Sequence, residues 1–434
     1  MRTYLVGGAV RDALLGLPVT ERDWVVVGAN VQEMLDAGYR QVGRDFPVFL
    51  HPKTKEEHAL ARTERKQGVG YKGFVVYADP SVTLEEDLTR RDLTINAIAQ
   101  TKDGVLVDPF GGQRDLAAKL LRHVSPAFVE DPLRVLRVAR FAARFAHLGF
   151  QVAPETLALM RTLSQSGELE ALTAERVWQE FEKALNTQTP QKFLTVLKDC
   201  DALPRILPEV AVLFDASPTS ADDVDTTAGM RTLAALQRAA QLTADPVVRF
   251  AALVHLLGTA TPATANPESD EATPEHGAAL VDALAQRLRV PNEHRDLGLL
   301  VCRYQHRCHQ ASTHSAEERY RTLELTDALR RPQRFEQFLL ACEATATSIT
   351  PTDDANARGS ASHAHATLLE HDLGNARSVN AAPYTQAAQL RQDLSVARAV
   401  DVPAVLSAAN AKGTEAATLI RTARIASIAQ NAKA

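Results

Sequence analysis

The first twenty-seven residues constrain this chain more than any other stretch. They read MRTYLVGGAVRDALLGLPVTERDWVVV. A short apolar run (Tyr4, Leu5, Val6) meets Gly7-Gly8, and a helical pattern follows through Val10, Leu14 and Leu15. A Pro-containing turn then leads through Glu21-Arg22-Asp23 into Trp24-Val25-Val26-Val27. The order is strand, glycine turn, helix, turn, acidic pair, strand. Paired glycines let backbone approach a ligand closely. The helix that follows offers unpaired N–H groups and the positive end of its dipole, which suit a phosphate, and Arg11 adds a forked donor. Glu21 and Asp23 are two apart, so on a strand both carboxylates face one side. Two hard oxygen ligands beside a phosphate cradle make a Mg²⁺ site and point to two-metal phosphoryl or nucleotidyl transfer. Taken alone, Gly7-Gly8 reads as a tight surface turn. Neither a Walker A loop nor G-x-G-x-x-G is present, so the combination carries the reading.

A chain of 434 residues has room for two to four domains and a large core. The formal net charge of −5 rules out a bulk polycation, so nucleic-acid binding has to come from local basic patches. No run of 18 apolar residues occurs, which excludes a membrane-spanning segment. The N-terminus lacks the basic and long apolar regions of a signal peptide. Four scattered cysteines fit a reducing compartment. A cytoplasmic protein is expected.

Residues 1–125 mix short strands and helices. A helix is expected at 31–37, strands at 46–51 and 58–63, and a Gly- and Lys-rich loop at 66–74. The pattern LEEDLTRRDLTINAIAQ (84–100) suits one helix with Arg90, Arg91, Asp92 and Asn96 on its polar parts. A strand at 105–107, the turn DPFGG (108–112) and a short helix at 113–121 follow. From Pro126 the pattern is helical. In EDPLRVLRVARFAARF (130–145), Arg134, Arg137, Arg140 and Arg144 share one third of the helix circumference, opposite Leu136, Ala139 and Ala143. Arginine suits planar, bidentate work with phosphates and base edges. Asp131 borders the same face. With Arg134 it offers an acceptor and a donor for a Watson–Crick edge, or else an intrahelical ion pair. Further helices are expected at 154–163, 174–185 and 190–197, and a last one from 415. The stretches 216–227, 259–275 and 348–366 read as loops or linkers. Cys302, His306, Cys308 and His309 depart from zinc spacings, so that segment reads as a helix with mixed polar residues. No G-x-S-x-G supports a hydrolytic triad.

With these pieces in order the chain resembles the bacterial class II tRNA nucleotidyltransferases, the CCA-adding enzymes, and among them the long group that carries a phosphohydrolase domain. The matching stretches are YLVGGAVRDALLGLPVTERDWVVVG (4–28), VGRDFPVFLHP (42–52), RRDLTINAIA (90–99), DPFGG (108–112) and EDPLRVLRVARFAARFAHLGF (130–150). The related poly(A) polymerases carry an Arg- and Phe-rich sequence where this chain has GRDFPVFL (43–50), which favours CCA addition. The resemblance implies an α+β fold: a small mixed-sheet nucleotidyltransferase head (1–125), a helical neck (126–210), a degenerate HD-like helical domain (211–330) and a helical tail (331–434). It implies that Gly8 and Arg11 line the triphosphate and that Glu21 and Asp23 are catalytic and hold Mg²⁺. Arg91, Arg137 and Arg140 would contact the nucleotide, and Asp131 with Arg134 would read CTP and ATP without a nucleic-acid template. The implied partners are tRNA, ATP and CTP, with no DNA and no membrane. The alternatives are a tRNA-binding protein without chemistry and an enzyme restricted to A or C addition.

Two departures stand out. The family's acidic pair is Asp-x-Asp, and here the first member is Glu21, which keeps the carboxylate and adds a methylene. The phosphohydrolase group expects a His-Asp doublet after an apolar helix. Here His255 is followed by Leu256, and Gln305 stands where a further histidine is expected, with His276 as a remaining candidate ligand. A site without its bridging carboxylate holds a metal poorly, so this domain is expected to be a catalytically inactive scaffold.

Overall fold

A computed structural model describes residues 1–42, 48–66, 74–215, 227–258, 274–346, 384–409 and 414–431. They fall into two compact units, Met1–Ala211 and Val212–Ala434. The first is α+β and the second helical, as the sequence implied.

The first unit opens with β1 (Arg2–Val6), α1 (Gly8–Leu14), β2 (Asp23–Val27) and α2 (Val31–Asp36). Strands β3 (Arg40–Gln41), β4 (Val48–Leu50), β5 (Glu57–Leu60), β6 (Thr63–Lys66) and β7 (Phe74–Tyr77) follow. Then come α3 (Leu84–Thr89), β8 (Ala99–Gln100), β9 (Leu106–Val107) and α4 (Gly112–Ala117). Among the described residues seven strands form one mixed sheet in the order β3-β4-β5-β2-β1-β8-β9. The β2–β5 pair is parallel and the other neighbours are antiparallel. Strand β2 lies inside this sheet, which is why Val25, Val26 and Val27 form an unbroken apolar run: all three are buried. Capping boxes start α2 (Asn30 with Glu33) and α3 (Thr83 with Glu86). The expected loop at 66–74 lies largely outside the described residues, as do residues 43–47 of the GRDFPVFL stretch.

Three expected helices differ. The one at 84–100 stops at Thr89. Beyond it the Asp92 carboxylate accepts from the Leu93 N–H, a short 3₁₀ turn forms at Thr94–Asn96, and Ala99 joins the sheet. The helix at 113–121 ends at Ala117. Lys119 turns to φ 56°, and Leu120–Leu121 becomes strand β10. Instead of starting at Glu130, the Arg-rich helix α5 runs Leu133–Phe145. Asp131 is extended because the Pro132 ring disfavours a helical backbone before it, and Pro126–Glu130 is a 3₁₀ turn. Strand β10 pairs in parallel with β11 (Gln151–Val152). Helices α6 (Pro154–Gln165), α7 (Ala174–Leu185) and α8 (Gln191–Asp199) follow, close to expectation, and α9 (Leu203–Ile206) and α10 (Pro208–Asp215), which the pattern did not single out, complete the run. Helix α5 packs on α7 and α8.

In the second unit the helices are α11 (Ala228–Leu242), α12 (Pro246–Val254), α13 (Pro274–Leu288), α14 (Asn292–His309), α15 (Ala316–Leu325) and α16 (Pro332–Thr345). They are followed by α17 (Thr385–Ala399), α18 (Val402–Ala409) and α19 (Thr414–Asn431). The core joins Val247, Val248, Leu297, Val301, Leu323, Phe335, Phe338, Leu339, Leu390 and Ile428. Arg319 and Asp393 form a buried ion pair at 2.7 Å between α15 and α17. Among the described residues no helix is long and apolar enough to cross a membrane.

Gly112, at the start of α4, shows how tightly the first unit is built. A Cβ there would run into the Thr94 carbonyl and lie 2.6 Å from Ile98 Cγ1. Gly112→Ala is expected to cost ~1–3 kcal/mol by overpacking. Urea unfolding checks this, with the midpoint falling at unchanged slope; an unchanged midpoint would contradict it.

Candidate active site

Strand pairing places the acidic pair beside the glycine turn. Asp23 stands opposite Val6, the residue before Gly7-Gly8. Glu21 sits in the turn just before β2 rather than on the strand, yet both carboxylates open on one cleft of about 450 Å³. The same cleft is lined by every other expected site residue: Gly8, Arg11, Arg91, Asp131, Arg134, Arg137 and Arg140. Arg144, Asn96, Asp92 and Phe141 line it too.

The glycine turn also has a use within the chain itself. Gly7 has φ 68°, a left-handed conformation, and a Cβ there would lie 2.7 Å from an Arg91 terminal nitrogen. The space is taken by the Arg91 guanidinium. This guanidinium is loosely held, with hydrogen bonds of 3.3 Å to the Asn96 carbonyl and 3.4 Å to Asp87, and its buried Nε has no partner. Burial lowers its pKa, and the fully buried Asp87 works against that.

The other arginines are tightly committed. Arg144 bonds Asp12 at 2.8 Å, and Asp12 takes Nε of Arg11 at 2.8 Å. Arg11 donates to the Asn96 side-chain oxygen at 2.5 Å, and Asn96 donates to Asp92 at 2.8 Å. Asp92 receives two nitrogens of Arg137 at 2.7 and 2.8 Å. Glu180 on α7 takes Arg140 at 2.5 Å and lies 3.9 Å from Arg137. The Phe141 ring lies under the Arg11 and Arg140 guanidinium groups, at 5.2 and 4.2 Å. Burial alone would raise the Asp92 carboxyl, but Arg137, Asn96 and the Leu93 N–H together hold it far below the carboxylate range.

Asp131 and Arg134 both line the cleft, but not as an intrahelical pair. Arg134 donates to the carbonyls of Ala127 and Arg90, at 2.7 and 2.5 Å. The Asp131 carboxylate caps Leu133 N at 3.1 Å and takes Arg176 of α7 at 3.4 Å.

The two catalytic candidates differ from all these groups. Neither Glu21 nor Asp23 makes an ion pair or a side-chain hydrogen bond among the described residues. The surrounding protein raises the Asp23 carboxyl above its ordinary range, Arg91 pulls it back, and Glu21 adds to the rise. A divalent cation would relieve that cost, so the donor set fits one. A third carboxylate stands nearby. Glu57 faces Asp23 in register on β5 and lines, with Glu21 and Asp23, an adjoining cleft of about 430 Å³.

Sequence reading did not single out Asp12, Asp87, Glu180, Arg176 or Phe141. Glu180 and Arg176 find their partners 40 and 45 residues away, and Asp12 reaches Arg144 132 residues on; Asp87 pairs with Arg90 and Arg91 at helical spacing, a signal that was readable, and Phe141 reads as core. The phosphohydrolase-like residues divide. His255, Leu256, Gln305, His306 and His309 line one cavity of the second unit, and Gln305 donates to the His255 carbonyl at 2.8 Å. His276 is not among its lining residues, and Cys302 and Cys308 are buried. Among the described residues no three His, Cys, Asp or Glu side chains are grouped to hold a metal.

Comparison with known proteins places this cleft in context. Residues 3–122 match the poly A polymerase head domain family, and residues 149–214 match the family described as a probable RNA and SrmB-binding site of polymerase A. The chain is similar to the multifunctional CCA protein of Thioalkalivibrio sulfidiphilus, 58% identical over 82% of this chain and 87% of that one. It is also similar to that of Vibrio cholerae, 56% identical over 79% and 85%. Among solved structures it resembles the Bacillus stearothermophilus CCA-adding enzyme in complex with CTP (TM-score 0.63, 21% identity, 99% and 89% of the two chains). A tRNA nucleotidyltransferase complexed with a primer tRNA and an incoming ATP analog is similar at TM-score 0.51 and 24% identity, over 79% and 91%. Those structural likenesses carry the fold, while the sequence identity carries the kinship. With 58% of residues identical to the Thioalkalivibrio protein over 82% of this chain, the chain belongs to the multifunctional CCA protein family of tRNA nucleotidyltransferases.

Proposed function

We propose that this chain adds C, C and A to the 3′ end of tRNA from CTP and ATP, in the cytoplasm and without a nucleic-acid template. The observation that carries the reading is the contrast within one cleft. Its basic side chains are held by partners, and Glu21 and Asp23 are left with none among the described residues. Glu21 and Asp23 would hold two Mg²⁺ ions, which when bound lower the pKa of the attacking 3′-hydroxyl and offset triphosphate charge. Gly8 and Arg11 border the triphosphate path. Arg91, the least committed guanidinium, turns its spare donors to phosphate oxygens, and Arg137 and Arg140 hold the nucleotide from α5. Asp131 and Arg134 present an acceptor and a donor to the base edge. Residues 1–125 act as the catalytic head and 126–210 as the neck, while 211–330 form a degenerate HD-like domain and 331–434 a tail. Phosphohydrolase activity is lost, because Leu256 supplies no carboxylate beside His255.

Purified protein with Mg²⁺ and tRNA lacking its 3′ end is expected to incorporate both nucleotides, and Asp23→Ala to abolish incorporation. Binding of tRNA with no incorporation would replace this reading with a non-catalytic one. Supplying CTP and ATP singly and together tests for an enzyme restricted to one base. Asp131→Ala is expected to reduce discrimination between nucleotides more than tRNA affinity, so intact discrimination would refute the template pair. No turnover of 2′,3′-cyclic AMP is expected with Mg²⁺ or Ni²⁺; turnover that disappears in His255→Ala would restore the phosphohydrolase.

A further inference from the structure

The nucleotide cleft has two neighbours of opposite charge. One is the adjoining cleft of about 430 Å³, where Glu56 and Glu57 join Glu21 and Asp23, with Arg22 and Lys55 as its cations. The other measures about 670 Å³ and is lined by Arg140, Arg144, His147 and Lys183, with Glu21 as its single carboxylate among the described residues. Glu21 lines all three clefts. Arg140 and Arg144 line only the nucleotide cleft and the basic one, so those two spaces are continuous along α5.

The basic lining follows from helical spacing. Arg140 and Arg144 are four apart on α5 and share a face, His147 stands just beyond the end of that helix, and α7, which packs on α5, brings Lys183 in its last turn. The two guanidinium groups are held in place, Arg140 by Glu180 at 2.5 Å and Arg144 by Asp12 at 2.8 Å, and Arg144 also lies 5.1 Å from the centre of the Phe145 ring. Lys183 differs from them: it is exposed and forms no ion pair among the described residues. The cleft therefore offers two fixed forks where it meets the nucleotide and a flexible ammonium further along.

Transfer of a nucleotide forms a bond from the 3′-oxygen to the α-phosphorus and breaks the bond from that phosphorus to the bridging oxygen. The bridging oxygen leaves with pyrophosphate, and the hydroxyl proton passes to solvent. Attacking and leaving oxygens lie roughly in line, on opposite sides of the phosphorus. The departing group is a small polyanion, and the two neighbouring clefts treat it differently. Four carboxylates line the acidic one and repel it, while three cations and one carboxylate line the basic one and attract it. We propose that the basic cleft is the departure site for pyrophosphate: Arg140 and Arg144 pass the diphosphate out of the nucleotide cleft, and Lys183 and the His147 imidazole receive it. The inference rests on the nucleotidyl-transfer reading and adds to it the route by which the product leaves. Exposed cations hold an anion weakly, which suits passage rather than storage.

Lys183→Glu tests this at an exposed position where folding is not at risk. CTP incorporation into tRNA lacking its 3′ end is followed with added pyrophosphate at fixed free Mg²⁺. The pyrophosphate concentration that halves the rate is expected to rise at least fivefold. The KM for pyrophosphate in the reverse reaction, which returns CTP from extended tRNA, should rise alike. Without pyrophosphate, the single-turnover rate and the KM for CTP should match the parent. Lys183→Arg is expected to keep parental inhibition, and so is Lys55→Met in the acidic cleft. Inhibition unchanged in Lys183→Glu would overturn the proposal, as would an equal shift in Lys55→Met. A rise in the KM for tRNA with pyrophosphate inhibition unchanged would assign the cleft to the RNA strand instead. A parent that incorporates nothing refutes the nucleotidyl-transfer reading and this inference with it; a parent that incorporates while Lys183→Glu behaves identically refutes this inference alone.

Discussion

The first unit depends on the Asp92 carboxylate. It sits between Asn96, which reaches Arg11 beside the glycine turn, and Arg137 on α5. Take it away and two cations lose the anion that orients them, one directly and one through an amide. Buried charges of this kind persist only when every partner is in place, and breaking one costs far more than the pair contributes. The chain of contacts runs on at both ends, to Asp12 and Arg144 and to Glu180 and Arg140. It therefore connects the sheet-bearing segment to the helices that follow it through side chains, and sets the position of α5 against the glycine turn.

This explains why the cleft can hold so many arginines. Seven guanidinium groups line it, and unpaired they would repel one another. Carboxylates from α1, α3, α7 and the turn after α3 separate them. Phe141 adds a flat, polarisable surface between Arg11 and Arg140. The positive character left over is local, in a chain whose formal net charge is −5. That is why composition gives no hint of a basic cleft and the pattern of residues does.

The fold and most of the cleft were legible because they rest on local signals. Alternation, glycine turns and the spacing of arginines on one helix are readable within a window of ten to fifteen residues. The errors arose where a side chain overrides a local preference. Asp92 ends the expected 84–100 helix by taking the Leu93 N–H, and Pro132 forces Asp131 out of α5. The alternative reading of Asp131 and Arg134, an ion pair within the helix, gives way to longer-range partners: Arg176 lies 45 residues from Asp131, and the Arg90 carbonyl 44 from Arg134. No periodicity shows such partners. The same holds for Glu180, which looks like an ordinary helix charge until the fold brings Arg140 to it from 40 residues away.

The tight bonding of the arginines also bears on how the cleft changes occupants. Ordering a long, flexible side chain at a binding site costs ~0.5–1.5 kcal/mol. Here folding has already restricted Arg11, Arg134, Arg137 and Arg140, so a ligand meets a wall that is set in advance. Under the proposed function, arriving and leaving are then exchanges of one acceptor for another, with little net gain in either direction. A wall of that kind suits repeated turnover better than tight retention: grip is given up for ease of release, and successive ligands of different shape can meet the same surface without its being rebuilt.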